Sequence, residues 1–182
     1  RLPQLDLPEL ILEMHARTGF AAAFTHASEG NARAEDIATT ICAVLVAEAT
    51  NTGFEPLVRP EVSALRRSRL SWVKQNFIRA ETLTTANALL VAAHNRIPLA
   101  RVWGSGEVAS ADGLRFTVPV RTIHAGPNPR YFGRERGITW YNLVSDRFSG
   151  LNALTVPGTL RDSLYLLAVV LDQETELRPG EI

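Results

Sequence analysis

Near Val102 the spacing of the apolar residues changes from helical to alternating. This change of period restricts the fold more than any other feature, because a helix-period stretch does not settle as a strand, nor the reverse. The chain is therefore expected to be α+β, with a helical region over residues 1–101 and a strand-led region over residues 102–182.

Upstream, Leu7-Pro8-Glu9 opens a helix in which Leu10, Ile11 and Met14 recur at helical spacing and Gly19 supplies the stop. A second helix starts near Glu35-Asp36, runs through Ile37–Ala49 and ends around Asn51-Thr52-Gly53. Its apolar residues go nearly all round, which places it at the centre of the helical region. Pro56 and Pro60 bracket a linker. A third pattern, from about Val62 to Asn95, offers Leu65, Trp72, Phe77, Leu83, Leu89 and Leu90 to a core, and its length favours a pair of helices.

Downstream, Val108, Phe116, Val118 and Val120 fall on one parity and Arg115, Thr117 and Arg121 on the other, which is a strand signal. Gly126-Pro127-Asn128-Pro129 marks a loop and Gly133 to Gly137 a turn. Ile138–Val144 reads as a second strand, Ser145–Gly150 as a turn and Leu151–Val156 as a third strand, so an antiparallel meander is predicted. Thr159-Leu-Arg-Asp162 has the form of a helix-start signal, with Asp162 in a capping role. The Leu- and Val-rich run Ser163–Gln173 that follows is expected to bury most of its surface on the sheet. Arg178-Pro179-Gly180 breaks that helix, and Glu181-Ile182 begins a further strand. The chain lacks Met at position 1 and stops at this strand, so it reads as a piece of something longer.

Composition excludes several classes. With 46% hydrophobic residues over 182 positions, the chain buries a core and is not disordered. Its longest apolar run falls short of the roughly 20 residues that cross a bilayer, and no leader pattern opens it, so a soluble intracellular protein is expected. Cys42 stands alone among apolar neighbours, which excludes a disulfide framework and marks a buried structural thiol. The net charge of zero conceals an asymmetry: residues 59–147 hold 14 basic and 6 acidic groups, net +8, between acidic ends. Such a block fits a polyanion-binding face, and nearly all its cations are Arg, which suits bidentate phosphate contact.

Asp112 shares parity with Val108, Leu114, Phe116 and Val118. A carboxylate aimed at a core face is costly unless it is paired or holds a metal. Asp-Gly between alternating apolar runs is equally a hairpin signal, which would place Asp112 at an exposed turn. Pattern alone leaves both readings open. His15, His26, His94 and His124 lack metal-binding spacing, Trp72, Trp103 and Trp140 are expected as core anchors, and Gly104-Ser105-Gly106 precedes a strand rather than the helix of a phosphate-binding loop.

Several motifs in order narrow the choice: Leu70-Ser-Trp-Val-Lys-Gln-Asn76, Arg79-Ala-Glu81, Ser110-Ala-Asp-Gly-Leu-Arg-Phe116, Val120-Arg-Thr-Ile123, Gly126-Pro-Asn-Pro-Arg-Tyr-Phe-Gly133, Arg136-Gly-Ile-Thr-Trp140 and Gly158-Thr-Leu-Arg-Asp-Ser-Leu164. With these the stretch from Trp72 through Asp162 resembles the catalytic region of the transposases of replicative class II transposons, the Tn-three family, and the similarity extends weakly to Pro8–Phe24. The resemblance implies a ribonuclease H-like fold whose first three antiparallel strands and helix are present here, with Asp112 as the first acid of an Asp-Asp-Glu triad. The second Asp and the Glu would lie beyond Ile182.

The implied chemistry is nicking of transposon ends and transfer of the freed 3′ ends to target DNA, giving a cointegrate. Such sites use two magnesium ions about 3.5–4 Å apart, held by carboxylates. With Asp112 as its one ligand, the chain by itself is expected to bind magnesium weakly and to be inactive. The implied partners are transposon-end and target DNA, and the implied setting is the bacterial cytoplasm, with the intact enzyme a homo-oligomer. Arg121, Arg130, Arg134 and Arg136, interleaved with Asn128 and Tyr131, form one candidate DNA-contacting cluster, and Arg66, Arg67, Arg69 and Lys74 another. Ordinary solvated faces are the alternative for each. A DNA-binding or interaction module without catalysis is the second functional reading.

Overall fold

The computed structural model describes residues 4–28 and 35–182, and contacts divide the chain into two compact units between Leu90 and Val91. In the first, α1 (Leu7–Thr18) ends at Gly19 in the left-handed conformation, and α2 (Ile37–Thr50) ends at Asn51, also left-handed. The third apolar pattern divides, as its length predicts, into α3 (Arg67–Asn76) and α4 (Ala80–Asn95). The break is built by Thr82, whose hydroxyl donates to the Phe77 carbonyl at 2.8 Å and accepts the Arg79 N–H at 3.1 Å.

Ile41 and Val44 of α2 are fully buried among Phe20, Phe24, Leu70, Val73 and Phe77, so α2 is central, as expected. Cys42 is buried here too, and burial pushes its thiol up to about 11. The linker closes onto the core through 3-10 turns at Glu55–Leu57 and Ser63–Leu65, and the Thr40 hydroxyl donates to the Ala64 carbonyl at 2.9 Å. Leu83 and Leu89 depart from expectation and are exposed. The inward stripe of α4 runs through Thr82, Ala86 and Leu90 at four-residue spacing, which leaves Leu83 and Leu89 off it.

The second unit begins with the end of α4 and α5 (Ala100–Trp103), followed by β1 (Ala109–Thr117), β2 (Gly126–Pro127), α6 (Pro129–Phe132), β3 (Arg136–Ser145), β4 (Gly150–Pro157) and α7 (Leu166–Leu171). The fold is α+β, and β1, β3 and β4 form the predicted antiparallel meander with β3 central. Asp112 lies opposite Asn142, and Tyr141 opposite Leu154 on the other side. The stretch read as a loop contains β2, a two-residue pairing of Gly126 with Gly137. A parallel bridge joins Val108 to Glu181, with the Ala109 N–H donating to the Glu181 carbonyl at 2.9 Å.

The parity of β1 is the reverse of the one expected. Ala109 and Ala111 face the core of Tyr141, Leu143, Leu151, Val156 and Val169, while Val108, Leu114 and Phe116 are exposed. The bulky core side chains come from β3, β4 and α7, so the small alanines of β1 fit beneath them. α7 is also shorter than predicted. A 3-10 turn, Asp162–Tyr165, replaces its first turn, and of its residues Val169 is buried while Leu167 and Leu171 stay exposed. No helix among the described residues is long and apolar enough to cross a membrane.

Candidate active site

Asp112 sits in the middle of β1, paired through nine consecutive registers with β3, and not at a hairpin turn. Its side chain is on the exposed face, where Oδ1 accepts the Gly113 N–H at 2.7 Å. Among the described residues no group of three or more His, Cys, Asp or Glu is placed to hold a metal ion.

Another acid lies behind the strand. A Cβ on Gly113 would come within 2.6 Å of Asp162 Oδ2 and 2.7 Å of Thr139 Cγ2, so the glycine of the Asp-Gly pair is needed for close approach. Asp162 does not cap a helix, as the sequence reading has it. Its Oδ2 accepts a hydrogen bond from Arg115 Nη2 at 2.9 Å and its Oδ1 the Ser163 N–H at 3.0 Å. Burial raises the Tyr141 phenol above its ordinary range, and the negative charges of Asp162 and Asp112 raise it further. Tyr141 therefore senses carboxylates from both faces of β1.

The motif Gly126–Gly133 holds the neighbouring segment in place. Asn128 Nδ2 donates to the Gly158 carbonyl at 2.8 Å, and Gly158 lies so near that a Cβ there would meet Gly126 O and the Phe132 ring at 2.6 Å. This clamp opens a cavity of about 480 Å³, lined by Arg115, Asn128, Arg130, Tyr131, Thr139 and residues 158–163. The Arg115 guanidinium lies 4.0 Å and that of Arg130 5.5 Å from the centre of the Tyr131 ring.

The two predicted basic clusters differ. In the helical unit Arg67 pairs with Glu55, Lys74 with Glu48 at 2.7 Å, Arg69 donates to the Glu35 carbonyl at 2.7 Å, and Arg66 to the Pro60 carbonyl at 3.2 Å. In the sheet unit Arg121, Arg130, Arg134 and Arg136 are exposed and none makes an ion pair among the described residues. Sequence reasoning missed Arg115 and Arg161, although Arg115 stands in the same motif as Asp112 on the opposite parity. Of the expected aromatic anchors, Trp72 is half-buried against Phe77, whereas Trp103 and Trp140 are exposed. The histidines are spread apart: His15 stacks edge-on to Phe20, His26 lies on Trp72 and Phe77, His94 bonds the Ser149 hydroxyl at 2.7 Å and His124 is exposed.

Comparison with known proteins accounts for the order of these motifs. The profile of the Tn3 transposase DDE domain matches residues 9–182. The chain is 58% identical, over its whole length, to the transposase for transposon gamma-delta of Escherichia coli (strain K12), of which it covers 18%. It is 47% identical over its whole length to the transposase for transposon Tn4556 of Streptomyces fradiae, covering 20%, and 31% identical over 99% of its length to that for transposon Tn1546 of Enterococcus faecium, covering 18%. The chain thus spans about a fifth of the length of these curated relatives. A profile matched from residue 9 to residue 182 by a chain with these relatives means that it belongs to the Tn3 transposase DDE domain family.

Proposed function

We propose that this chain is the part of a DNA transposase that supplies the first catalytic carboxylate, Asp112, on the first strand of a ribonuclease H-like fold. The observation that carries the reading is an ionisable side chain at mid-strand, exposed, with Oδ2 making no hydrogen bond among the described residues. The antiparallel order of β1, β3 and β4, with a parallel bridge on the side of β1 away from β3, supports the fold assignment.

A hard cation such as magnesium prefers oxygen ligands and keeps several waters, so the carboxylate of Asp112 fits it as one ligand. Asp162 does not fit as a second, because it is engaged by Arg115 on the opposite face. Bound ions would activate the attacking oxygen and stabilise the leaving oxygen in phosphoryl transfer, as nicking of transposon ends and their joining to target DNA require. The residues here would do three things: Asp112 holds charge at a fixed point, β3 fixes the backbone of β1 around it, and Arg121, Arg130, Arg134 and Arg136 attract the phosphate backbone.

The test is Asp112→Asn in a full-length transposase. Nicking of a transposon-end duplex should fall by about a thousandfold or more while duplex binding is retained. Unchanged nicking would remove Asp112 from catalysis and favour the second reading, a DNA-binding module, which rests on the four arginines that make no ion pair among the described residues. The 182-residue chain alone should bind magnesium weakly and neither cleave nor join DNA. Metal-dependent nicking by that chain would refute this.

A further inference from the structure

The cavity behind β1 is separate from the face that carries Asp112, and its chemistry is that of an anion site. Its volume of about 480 Å³ holds far more than a few waters. Three arginines line it, Arg115, Arg130 and Arg161, against one acid, Asp162. Two of the guanidiniums lie against the Tyr131 ring, at 4.0 and 5.5 Å from its centre, and both line the cavity. Arg115 is tied to Asp162 through Nη2 only, and its remaining N–H groups find no acceptor among the described residues. Its side chain is 34% exposed and that of Asp162 24%, so the pair is partly open to solvent and weak. Asn128 gives one amide N–H to the Gly158 carbonyl, which fixes its side chain at the cavity wall.

We propose that this cavity binds a backbone phosphate of DNA, with Arg115 and Arg130 as its ligands and Asp162 as an internal competitor for Arg115. The inference rests on the reading of the chain as DNA-acting. A phosphate oxygen takes over the N–H that Asp162 holds, and the planar fork of Arg115 then grips two oxygens at once. Asp162 itself stays in place, because the Ser163 N–H holds its Oδ1 and Gly113 leaves room for its Oδ2. In the absence of DNA it keeps Arg115 extended across Tyr131 and ready to bind. The bound phosphate is not the one cleaved, since β1 stands between the cavity and Asp112.

Binding of the 182-residue chain to a fluorescent duplex of about 30 base pairs is measured across a salt series, beside a titration with inorganic phosphate followed by the NMR signals of the arginine side chains. Arg115→Gln and Arg130→Gln should each weaken duplex binding about tenfold and lower the salt slope by about one. Asp162→Asn should strengthen it, an effect opposite to anything that loss of folding would produce. Arg115→Lys, which keeps the charge without the fork, should recover only part of the affinity. Wild-type affinity in Arg115→Gln, or weaker binding in Asp162→Asn, would overturn the proposal. Phosphate binding that depends on Arg115, in a chain that does not bind duplex, would leave an anion site standing, overturn DNA as its source and refute the DNA-acting reading. Duplex binding unaffected by all four variants would do the opposite, sparing that reading and removing this site.

Discussion

Two basic clusters of equal size stand in this chain, one in the helical unit and one in the sheet unit, and among the described residues only the second makes no ion pair. Arg66, Arg67, Arg69 and Lys74 are each engaged by an acid or a carbonyl, and Arg69 also lies over Trp72 at 5.7 Å. Among the described residues Arg121, Arg130, Arg134 and Arg136 have no such acid, and Arg130 lies over the Tyr131 ring at 5.5 Å. Charge density along a sequence therefore measures how many cations a segment holds and not how many are available. A cation already held in one geometry must give up that partner before it meets a phosphate, whereas an exposed one loses only water.

The comparison can be broken in several ways. The largest effect is expected at Leu70, which with Val73 is fully buried and joins α3, carrying the first cluster, to the core. Leu70→Ala should cost roughly 2–5 kcal/mol in urea denaturation. A cost well under 1 kcal/mol would mean that α3 is not anchored and its cations are free after all. Next comes simultaneous replacement of Arg121, Arg130, Arg134 and Arg136 by Gln, which should weaken duplex binding about a hundredfold and flatten its salt dependence. The same treatment of Arg67 and Lys74 should leave the salt slope nearly unchanged, and the reverse pattern would exchange the roles of the clusters.

A smaller effect is expected where the sheet unit is tightly built. In Gly158→Ala the new methyl would meet the Gly126 carbonyl and the Phe132 ring, which should cost roughly 1–3 kcal/mol and loosen the cavity. The smallest effect belongs to Lys74→Gln. Its pair with Glu48 is about half exposed, so thermal melting should report a loss of no more than about 1 kcal/mol.

The elements were legible because period and punctuation are local. Gly19 and Asn51 end helices where their left-handed conformations require, and the meander follows from three alternating runs joined by turns. What failed was knowledge of which face is covered. Alternation assigns residues of β1 to two sides, but the choice between them depends on Tyr141, Leu143, Val156 and Val169, all supplied from elsewhere in the chain. The same limit misplaced Leu83, Leu89, Trp103 and Trp140, whose apolar character says nothing about a partner. At the site, the motif around Asp112 was readable, whereas the pairing of Arg115 with Asp162 spans 47 positions and leaves no local trace. Nor does the pairing of Lys74 with Glu48, 26 positions apart.

Cys42 offers one more result. It is the sole cysteine in the sequence, and burial pushes its thiol up to about 11, so near neutral pH it stays protonated and out of reach of alkylating reagents. A thiol raised in this way favours the folded state at neutral pH and ceases to do so as the solution is made strongly alkaline. For spectroscopy, the 182-residue chain is therefore already a silent background. One cysteine introduced on an exposed position beside the cavity, such as Leu160, would carry the only label, and distances from it to DNA could be measured without first removing a native residue.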